Sequence, residues 1–410
     1  MARSCKVFRG VTFRLPPLGA IGLLALILSL PACDGLFEVQ NEQDILELDL
    51  DQEAALTPLV NGVAGDWIDM YDNAINIMGL VSFELIHTGS FPSWRSVETG
   101  LMDRTSNGNG VYNQMARSIW VADDAARRIA AGFPEARSEP AQVRMYGGLG
   151  KVLLADNFCE GTIDGGSAMP PAEFYRLAEQ DFTDAMSSAT AAGAPDWAMR
   201  AQLGRARARS MLGDHAGAMA DANAIPAGFR FDAIYSQNSG REQNSVASLT
   251  RTLTRREAGV HPTFYDDPLF IADPRTSFID RGPNETGPDP TRKYVEQEKY
   301  KLRDSPIPIS TWQEARLIEA EAELNIGSPE RAVALINEVR AFVSLDPYGG
   351  EMSQSAVMDQ LMYERSAELW LQAHRLNDLR RINDPSLAGR DVCFEIGIDE
   401  WESNPNLGGS

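Results

Sequence analysis

Residues 311–342 read TWQEARLIEAEAELNIGSPERAVALINEVRAF, and this stretch decides the fold class. Its apolar residues recur at helical spacing on both sides of Gly327, which ends the first helix. Ser328 and Pro329 are the preferred N-cap and first residue of a second helix. The residues that share the inward faces are Leu317, Ala320 and Leu324 in the first helix and Ala332, Leu335, Ile336, Val339 and Phe342 in the second. The stretch therefore predicts two antiparallel helices joined by a tight turn.

The same form occurs earlier in the chain. A helix rich in alanine and arginine is predicted over Trp197–Leu212, Gly213-Asp214 ends it, and a second helix follows over His215–Ala224. Helix pairs with small residues at their crossing are typical of tetratricopeptide units. Because the two copies are over 100 residues apart, we predict that they are not consecutive units of a regular solenoid.

The remaining periodicity predicts an all-α fold with long irregular insertions. Further helices are expected from Leu50, over Val111–Phe133, over Ala141–Phe158 and, as the last one, over Ser355–Arg381. Residues 88–113 and 226–310 are rich in Gly, Pro, Asn and Asp, which favours loops. We therefore predict one helical domain over residues 50–410, with a loop-rich excursion at about 226–310.

The N-terminus indicates export. Four basic residues precede the uncharged run Leu18–Leu30, whose 13 residues would rise only about 20 Å as a helix, too short to span a bilayer. Residues 1–32 are typical of a secretory signal. The sequence Leu30-Pro31-Ala32-Cys33 resembles a bacterial lipobox, so Cys33 is predicted to carry the lipid anchor, with residues 33–49 as a tether. The alternative is an ordinary signal peptide with an incidental Cys33.

Charge and cysteine content narrow the function further. The net charge of −21 disfavours binding to nucleic acid, whose phosphates would be repelled. If Cys5 leaves with the signal and Cys33 takes the lipid, Cys159 and Cys393 remain in an oxidising compartment, and we predict that they form a disulfide. Two separate free thiols are the alternative.

The strongest family resemblance lies late in the chain. Residues 363–381 read YERSAELWLQAHRLNDLRR, which resembles the late helix of the SusD/RagB family of outer-membrane nutrient-binding lipoproteins, although Gln372-Ala373 replaces the family's acidic-glycine pair. In this helix Arg365 is expected to pair with Glu368, while Glu364 needs a cation from elsewhere, such as Arg375 or Arg380. The other segments that resemble the family are Leu317–Ala322, Ala332–Arg340, Asp273-Pro274-Arg275, Cys393-Phe394 and Asn404-Pro405-Asn406.

This resemblance implies a function. Family members are lipid-anchored at the cell surface of the outer membrane, capture an oligosaccharide or other oligomeric nutrient, and deliver it to a SusC-like TonB-dependent transporter. The resemblance therefore implies a binding protein without enzymatic activity or cofactor. Two alternatives remain open, a lipid-anchored glycan hydrolase and a helical scaffold that binds only proteins.

Motifs for other chemistry are missing from the sequence. The four histidines have no zinc-type spacing to each other or to Cys159 and Cys393, so no metal site is predicted. Residues 147–151, GGLGK, lack P-loop spacing and fit close helix packing better. Asp66, Asp69 and Asp72 have helical spacing and are interpreted as one solvated face.

Sugar binding needs aromatic faces beside polar side chains. Two loop clusters offer this combination, and Trp67 and Tyr71 on a nearby helix are candidates to join the first of them. The candidate ligand-binding residues are Phe91, Trp94 and Arg95 in the first cluster and Phe264, Tyr265 and Asp266 in the second. The alternative for each cluster is that its aromatic residues only attach long loops to the core.

Overall fold

The computed structural model describes residues 49–251 and 255–407, so the predicted signal, Cys33 and nearly all of the predicted tether lie outside the described residues. Within the described part the chain forms fifteen α-helices and six short strands. The helices are α1 Leu56–Val81, α2 Pro92–Glu98, α3 Gly108–Gly132, α4 Glu139–Asn157, α5 Pro171–Ala191, α6 Pro195–Met211, α7 His215–Asn223, α8 Ser245–Thr250, α9 Pro262–Tyr265, α10 Pro268–Ala272, α11 Trp312–Ile326, α12 Pro329–Phe342, α13 Gln354–Glu368, α14 Arg375–Arg381 and α15 Ile398–Ser403. The strands are β1 Leu85–His87, β2 Arg230–Ala233, β3 Ala258–Val260, β4 Phe278–Ile279, β5 Glu296–Gln297 and β6 Ile307–Thr311. The mainly helical fold is confirmed.

The long helices form a stack in which each one packs on the next. Contacts run from α3 through α4, α5 and α6 to α7, then to α11, α12 and α13, while α1 packs on α3 and α4. Glycines permit the close approach of three of these helices. A Cβ added at Gly148 or Gly204 would lie within 3 Å of the Phe182 ring, so this phenylalanine of α5 fits against the bare backbones of α4 and α6.

The prediction about the repeated helix pairs was wrong. Helix α7 packs directly on α11, so the pairs α6–α7 and α11–α12 are neighbours in space. The excursion lies between the two pairs in sequence. Its two ends are held together because β2 pairs antiparallel with β6, from Arg230↔Thr311 to Ala233↔Ile307. The separation in sequence did not predict this adjacency, because the inserted residues leave the helical stack and return to it at the same place.

The sequence predicted the helix starts correctly where residues next to the helix end determine them. Ser328 caps α12 by accepting a hydrogen bond from the Arg331 amide, and Pro329 is its first residue. Phe342 differs from expectation, since it is 59% exposed, with its ring 5.4 Å from the Trp312 ring in an edge-to-face arrangement. Residues 88–113 are also more regular than predicted, because α2 begins with Pro92 in the favourable first helical position.

The predicted final helix is broken in two. Between α13 and α14 the backbone turns at Leu371 and Ala373, which have φ of +54° and +62°. Distant groups bind the backbone there: Tyr300 Oη donates to Leu371 O at 3.1 Å, and Leu371 N donates to Glu84 Oε1 at 2.7 Å. Such tertiary bonds replace the helical ones that periodicity predicts. Ala373 occupies the left-handed region that glycine adopts without strain, which gives a physical reason for the glycine of the family's acidic-glycine pair.

The ion network of this region has other partners than predicted. Arg365 Nε binds Asp378 Oδ2 at 2.9 Å and does not pair with Glu368. The buried Glu364 is held by Arg275 at 2.7 Å and Arg340 at 2.5 Å. The sequence correctly predicted external cations, but both come from segments before the helix.

The disulfide between Cys159 and Cys393 is present, with a Cα–Cα distance of 5.2 Å. Two backbone hydrogen bonds accompany it: the Cys159 amide donates to Phe394 O and the Phe394 amide donates to Asn157 O, both at 2.9 Å. The tail after α14 is thereby attached to the end of α4. In the described residues, no helix combines the length and the apolar character that crossing a membrane requires.

Candidate functional site

Three segments distant in sequence meet at Thr88. The Thr88 amide donates to Glu257 O at 2.9 Å, and the Asp289 amide donates to Thr88 O at the same distance. The Thr88 hydroxyl donates to Arg256 O at 2.8 Å. Strand β1, next to this junction, pairs with β3 of the excursion. The first predicted aromatic cluster is therefore joined to the excursion by main-chain bonds.

The loop before α2 is fixed by a buried carboxylate. Glu257 accepts hydrogen bonds from the Ser90 amide at 2.6 Å and from the Ser90 hydroxyl at 3.2 Å. A Cβ at Gly89 would lie 2.5 Å from the Cα of Glu257, so only glycine permits this approach. Since each bond is formed within the protein, the loop is held in position without a ligand.

Helix α2 is anchored by a bidentate ion pair. Both terminal nitrogens of Arg292 donate to Glu98 at 2.6 Å, and Arg292 also donates to His87 O at 2.6 Å. Burial lowers the pKa of His87, whose neutral ring accepts a hydrogen bond from the Phe91 amide through Nε2 at 3.3 Å. Bidentate pairs of this kind fix orientation as well as distance. The position of Phe91 at the start of α2 is thereby set from two sides.

The first cluster forms a platform with a polar rim. Phe91 is partly exposed and rests with its ring 5.5 Å from Trp94, which is buried beneath it. Arg255 lies over the Phe91 ring, 4.9 Å from its centre. Arg95 is half exposed and contacts Asp289 at 3.4 Å. The exposed part of Phe91 and the ends of both arginines are accessible to a ligand.

The second cluster separates into core and surface. Phe264 is fully buried, with its ring 4.6 Å from Phe270 and 5.5 Å from Trp370. Tyr265 is partly exposed, and Lys293 lies 4.5 Å from the centre of its ring.

The charge of Arg292 acts on the surface part of the second cluster. Burial raises the pKa of Tyr265, with Asp266 and Asp280 adding to the increase and the charge of Arg292 opposing it. Asp266 is exposed beside this tyrosine. Because Arg292 also anchors α2, it connects the surroundings of Tyr265 to those of Phe91.

Two predicted residues lie elsewhere. Trp67 and Tyr71 are buried in α1, stacked at 4.7 Å, and the Tyr71 hydroxyl donates to Pro308 O at 2.9 Å. Together with Phe264 they belong to the core, so the alternative of structural aromatics applies to these three. The candidate site contains Phe91, Arg95, Tyr265 and Asp266, and the buried Trp94 packs against Phe91.

We call this region the aromatic–cation surface, defined by Phe91, Arg95, Arg255, Tyr265, Asp266, Asp289 and Lys293. The sequence did not indicate Arg255, Asp289 and Lys293, since they lie in the aperiodic excursion and reach the site only through the pairing of β1 with β3. Aromatic faces pack against the C–H faces of sugars, and arginine and carboxylate groups bind hydroxyl groups. Among the described residues no group of three His, Cys, Asp or Glu is placed to hold a metal ion.

The aspartates of α1 do not form one solvated face. Asp66 and Asp69 pair with Arg241, and Asp66 also pairs with Arg117. Asp72 instead is buried, and its carboxylate accepts a hydrogen bond from the Ser245 amide at 2.6 Å. Burial raises the pKa of Asp72 to about 8, against the opposing effect of the Ser245 hydrogen bonds.

We expect Asp72→Asn to gain stability relative to the wild type as pH rises. In the unfolded chain Asp72 ionises near pH 4, whereas in the folded protein it keeps its proton to about pH 8. Between these values folding takes up a proton, so the wild type loses up to about 1.4 kcal/mol per pH unit, and the amide variant does not. Urea unfolding between pH 4.5 and 8 measures the difference. Asp66→Asn is the control, and a gap for Asp72→Asn that stays constant with pH would contradict the prediction.

Comparison with known proteins finds a matching family model and several solved structures with a similar fold. Residues 229–393 match the model of the SusD family. Three solved structures are similar over most of the chain. They are a SusD-like carbohydrate binding protein from Bacteroides vulgatus (13% identity, 80% of this chain and 83% of that one, TM-score 0.64), a laminarin binding SusD-like protein (16%, 85% and 97%, 0.63) and a SusD/RagB family protein from Bacteroides thetaiotaomicron (15%, 84% and 94%, 0.62). At these identities the similarity shows the fold alone. No curated protein matches the sequence.

Proposed function

Since this chain belongs to the SusD/RagB family, we propose that it binds an oligosaccharide nutrient at the aromatic–cation surface. The observation that carries the proposal is the partly exposed Phe91, which lies beside the exposed Arg255 on a loop held by Glu257 and the Glu98–Arg292 pair. Such a site is formed before the ligand arrives, so little affinity is lost to ordering it. Two similar structures are of proteins that bind carbohydrate, one of them laminarin.

We further propose that the protein acts at the outer membrane as a lipoprotein anchored through Cys33, with residues 1–32 as signal, 33–49 as tether and 50–410 as the binding domain. It would present its ligand at the cell surface and deliver it to a SusC-like TonB-dependent transporter. The lipobox-like start and the family membership support this arrangement. We propose binding without turnover.

A panel of oligosaccharides read by melting temperature tests the proposal, with laminarin, maltohexaose, cellohexaose and xylohexaose as probes. A specific ligand at one hundred times its Kd stabilises the folded state by about 2.7 kcal/mol. We expect one of these probes to raise the melting temperature, and Phe91→Ala to weaken its binding roughly tenfold, which corresponds to about 1.4 kcal/mol.

Phe342→Ala is the matched control, because Phe342 is also an exposed phenylalanine but lies on α12, outside the aromatic–cation surface. Equal affinities of the two variants would remove Phe91 from the site. New reducing ends in the incubated sample would indicate a hydrolase. Co-purification with a transporter while no probe shifts the melting curve would favour a scaffold that binds only proteins.

A further inference from the structure

A groove of about 320 Å³ lies where α3 and α15 meet the turn after Thr162. Its lining includes Arg117, Trp120, Thr162, Asp164 and Glu400, and we call it the Trp120 groove. It has no residue in common with the aromatic–cation surface, so a ligand could bind here whether or not that surface has the function proposed for it. Its volume is at the lower end of the range of small-molecule sites.

Trp120 gives the groove a flat apolar wall. It is 45% exposed, which leaves a large part of its indole in contact with water. Arg117 lies one turn earlier on the same face of α3 and pairs with Asp66 at 3.2 Å. A single exposed apolar residue is ordinary on a protein surface. Trp120 becomes a candidate ligand contact because polar groups lie opposite it in the groove.

A chain of hydrogen bonds orients the carboxylate of Glu400. The Thr162 amide donates to Tyr112 Oη at 3.0 Å, and the Thr162 hydroxyl donates to Glu400 Oε1 at 2.6 Å. Because that hydroxyl has only one hydrogen, Tyr112 Oη must donate to it across their 3.1 Å contact. Asn404 Nδ2 also donates to Glu400 Oε1, at 2.8 Å. In the described part of the chain, Oε2 of Glu400 accepts no hydrogen bond, so one oxygen is fixed while the other remains available.

The turn that carries Asp164 is held in place by the tail. Asp164 has φ of +51° and Gly165 has φ of +67°, the left-handed region that glycine adopts freely and aspartate tolerates. Side-chain amides of the tail hold the turn, since Asn406 donates to Gly165 O and Asn404 to Gly166 O, both at 2.8 Å. Asp164 itself has no hydrogen-bond partner among the described residues, and its carboxylate is exposed at the groove.

We propose that the Trp120 groove binds a neutral sugar unit of one or two rings. The indole face packs against the C–H face of a sugar ring, and the free oxygens of Glu400 and Asp164 accept hydrogen bonds from its hydroxyl groups. Two carboxylates beside one arginine repel an anionic sugar. A protein segment fits less well, because it would bury these two acceptors without supplying the several hydroxyl donors that a sugar carries.

Fluorine NMR on the full-length protein labelled with 5-fluorotryptophan tests this site by itself, with the Trp120 signal assigned from Trp120→Phe. The neutral probes are methyl β-glucoside, methyl α-mannoside, methyl β-galactoside and laminaribiose, and galacturonate is the anionic one. We expect the Trp120 signal to move with at least one neutral probe, with a Kd on the order of 1 mM. Glu400→Gln and Asp164→Asn should each weaken this binding at least five-fold. Neither substitution removes a backbone hydrogen-bonding group, and asparagine at position 164 tolerates the left-handed conformation.

Phe91→Ala should leave the titration of Trp120 unchanged, which separates this site from the aromatic–cation surface. A Trp120 signal that does not move with any neutral probe at about fifty times the expected Kd would overturn the proposal. A larger shift with galacturonate would overturn the sugar class. Loss of the shift in Phe91→Ala would assign the effect to the first surface.

Discussion

Replacing Arg275 with methionine is expected to lower the free energy of unfolding by about 3–5 kcal/mol. The Arg275 side chain is only 6% exposed and lies between two fully buried carboxylates, Asp273 and Glu364, at 2.7 Å from each. Removing the guanidinium leaves both carboxylates in the interior with too few partners, because Asp273 retains the Tyr363 hydroxyl and the backbone amide of residue 275, and Glu364 retains Arg340 and Gln360. An uncompensated buried charge is among the most destabilising changes a protein can suffer.

The pH dependence gives this prediction an internal check. Burial tends to raise the pKa of Asp273, but hydrogen bonds and charge from Arg275 outweigh it and hold the pKa below its usual value. A depressed pKa contributes stability that is present above about pH 4 and is lost as pH falls. The difference in the free energy of unfolding between the wild type and Arg275→Met, measured by urea unfolding, should therefore become smaller below about pH 4.

Two further variants control for the loss of a charge as such. Arg137→Met removes an exposed pair with Glu135 and should cost at most about 1 kcal/mol. Arg275→Lys keeps the charge but loses the planar fork, so its stability should lie between those of wild type and Arg275→Met. An equal cost for Arg275→Met and Arg137→Met would contradict the buried network as a source of stability.

Removing the disulfide should have the next largest effect, a loss of about 2–5 kcal/mol in the double variant Cys159→Ala/Cys393→Ala. The bridge joins residues 234 apart, and in the chain-entropy account longer closed loops are stabilised more. The tail should open first when the bridge is missing, since Phe394 then holds it to α4 through two backbone hydrogen bonds and a ring contact with Phe158 at 5.6 Å. Urea unfolding measures the total loss, and limited proteolysis shows whether cleavage begins after α14.

Reductant and thiol labelling provide the controls. Dithiothreitol should destabilise the wild type to the level of the double variant and leave the double variant unchanged. In unfolded, unreduced protein the number of thiols that react should be the same for wild type and double variant. Two additional reactive thiols in the wild type would show that the bridge does not form in solution.

The sequence predicted the features that depend on local groups. Ser328 and Pro329 fix the start of α12, and the helical period over Ser355–Arg381 predicted both α13 and α14 but missed the break between them. That break depends on Glu84 and Tyr300, which are distant in sequence from Leu371. Local pattern contains no information about such partners.

The binding surface shows the same division. Composition identified Phe91 and Arg95, whereas Arg255 and Lys293 come into place only through strand pairing. For Trp67 and Tyr71 a better signal was available, because both lie at helical spacing from the inward-facing Val63 and are therefore expected in the core.

The pairing of β2 with β6 has an evolutionary consequence. Since the excursion leaves the helical stack at Arg230 and returns beside it at Thr311, its exposed loops can change in length or sequence without separating α7 from α11, whereas its buried residues, such as Arg275, are needed for stability. Five of the seven residues of the aromatic–cation surface lie in this excursion: Arg255, Tyr265, Asp266, Asp289 and Lys293. Changes in these exposed loops can therefore alter what the aromatic–cation surface binds while the supporting helices stay the same.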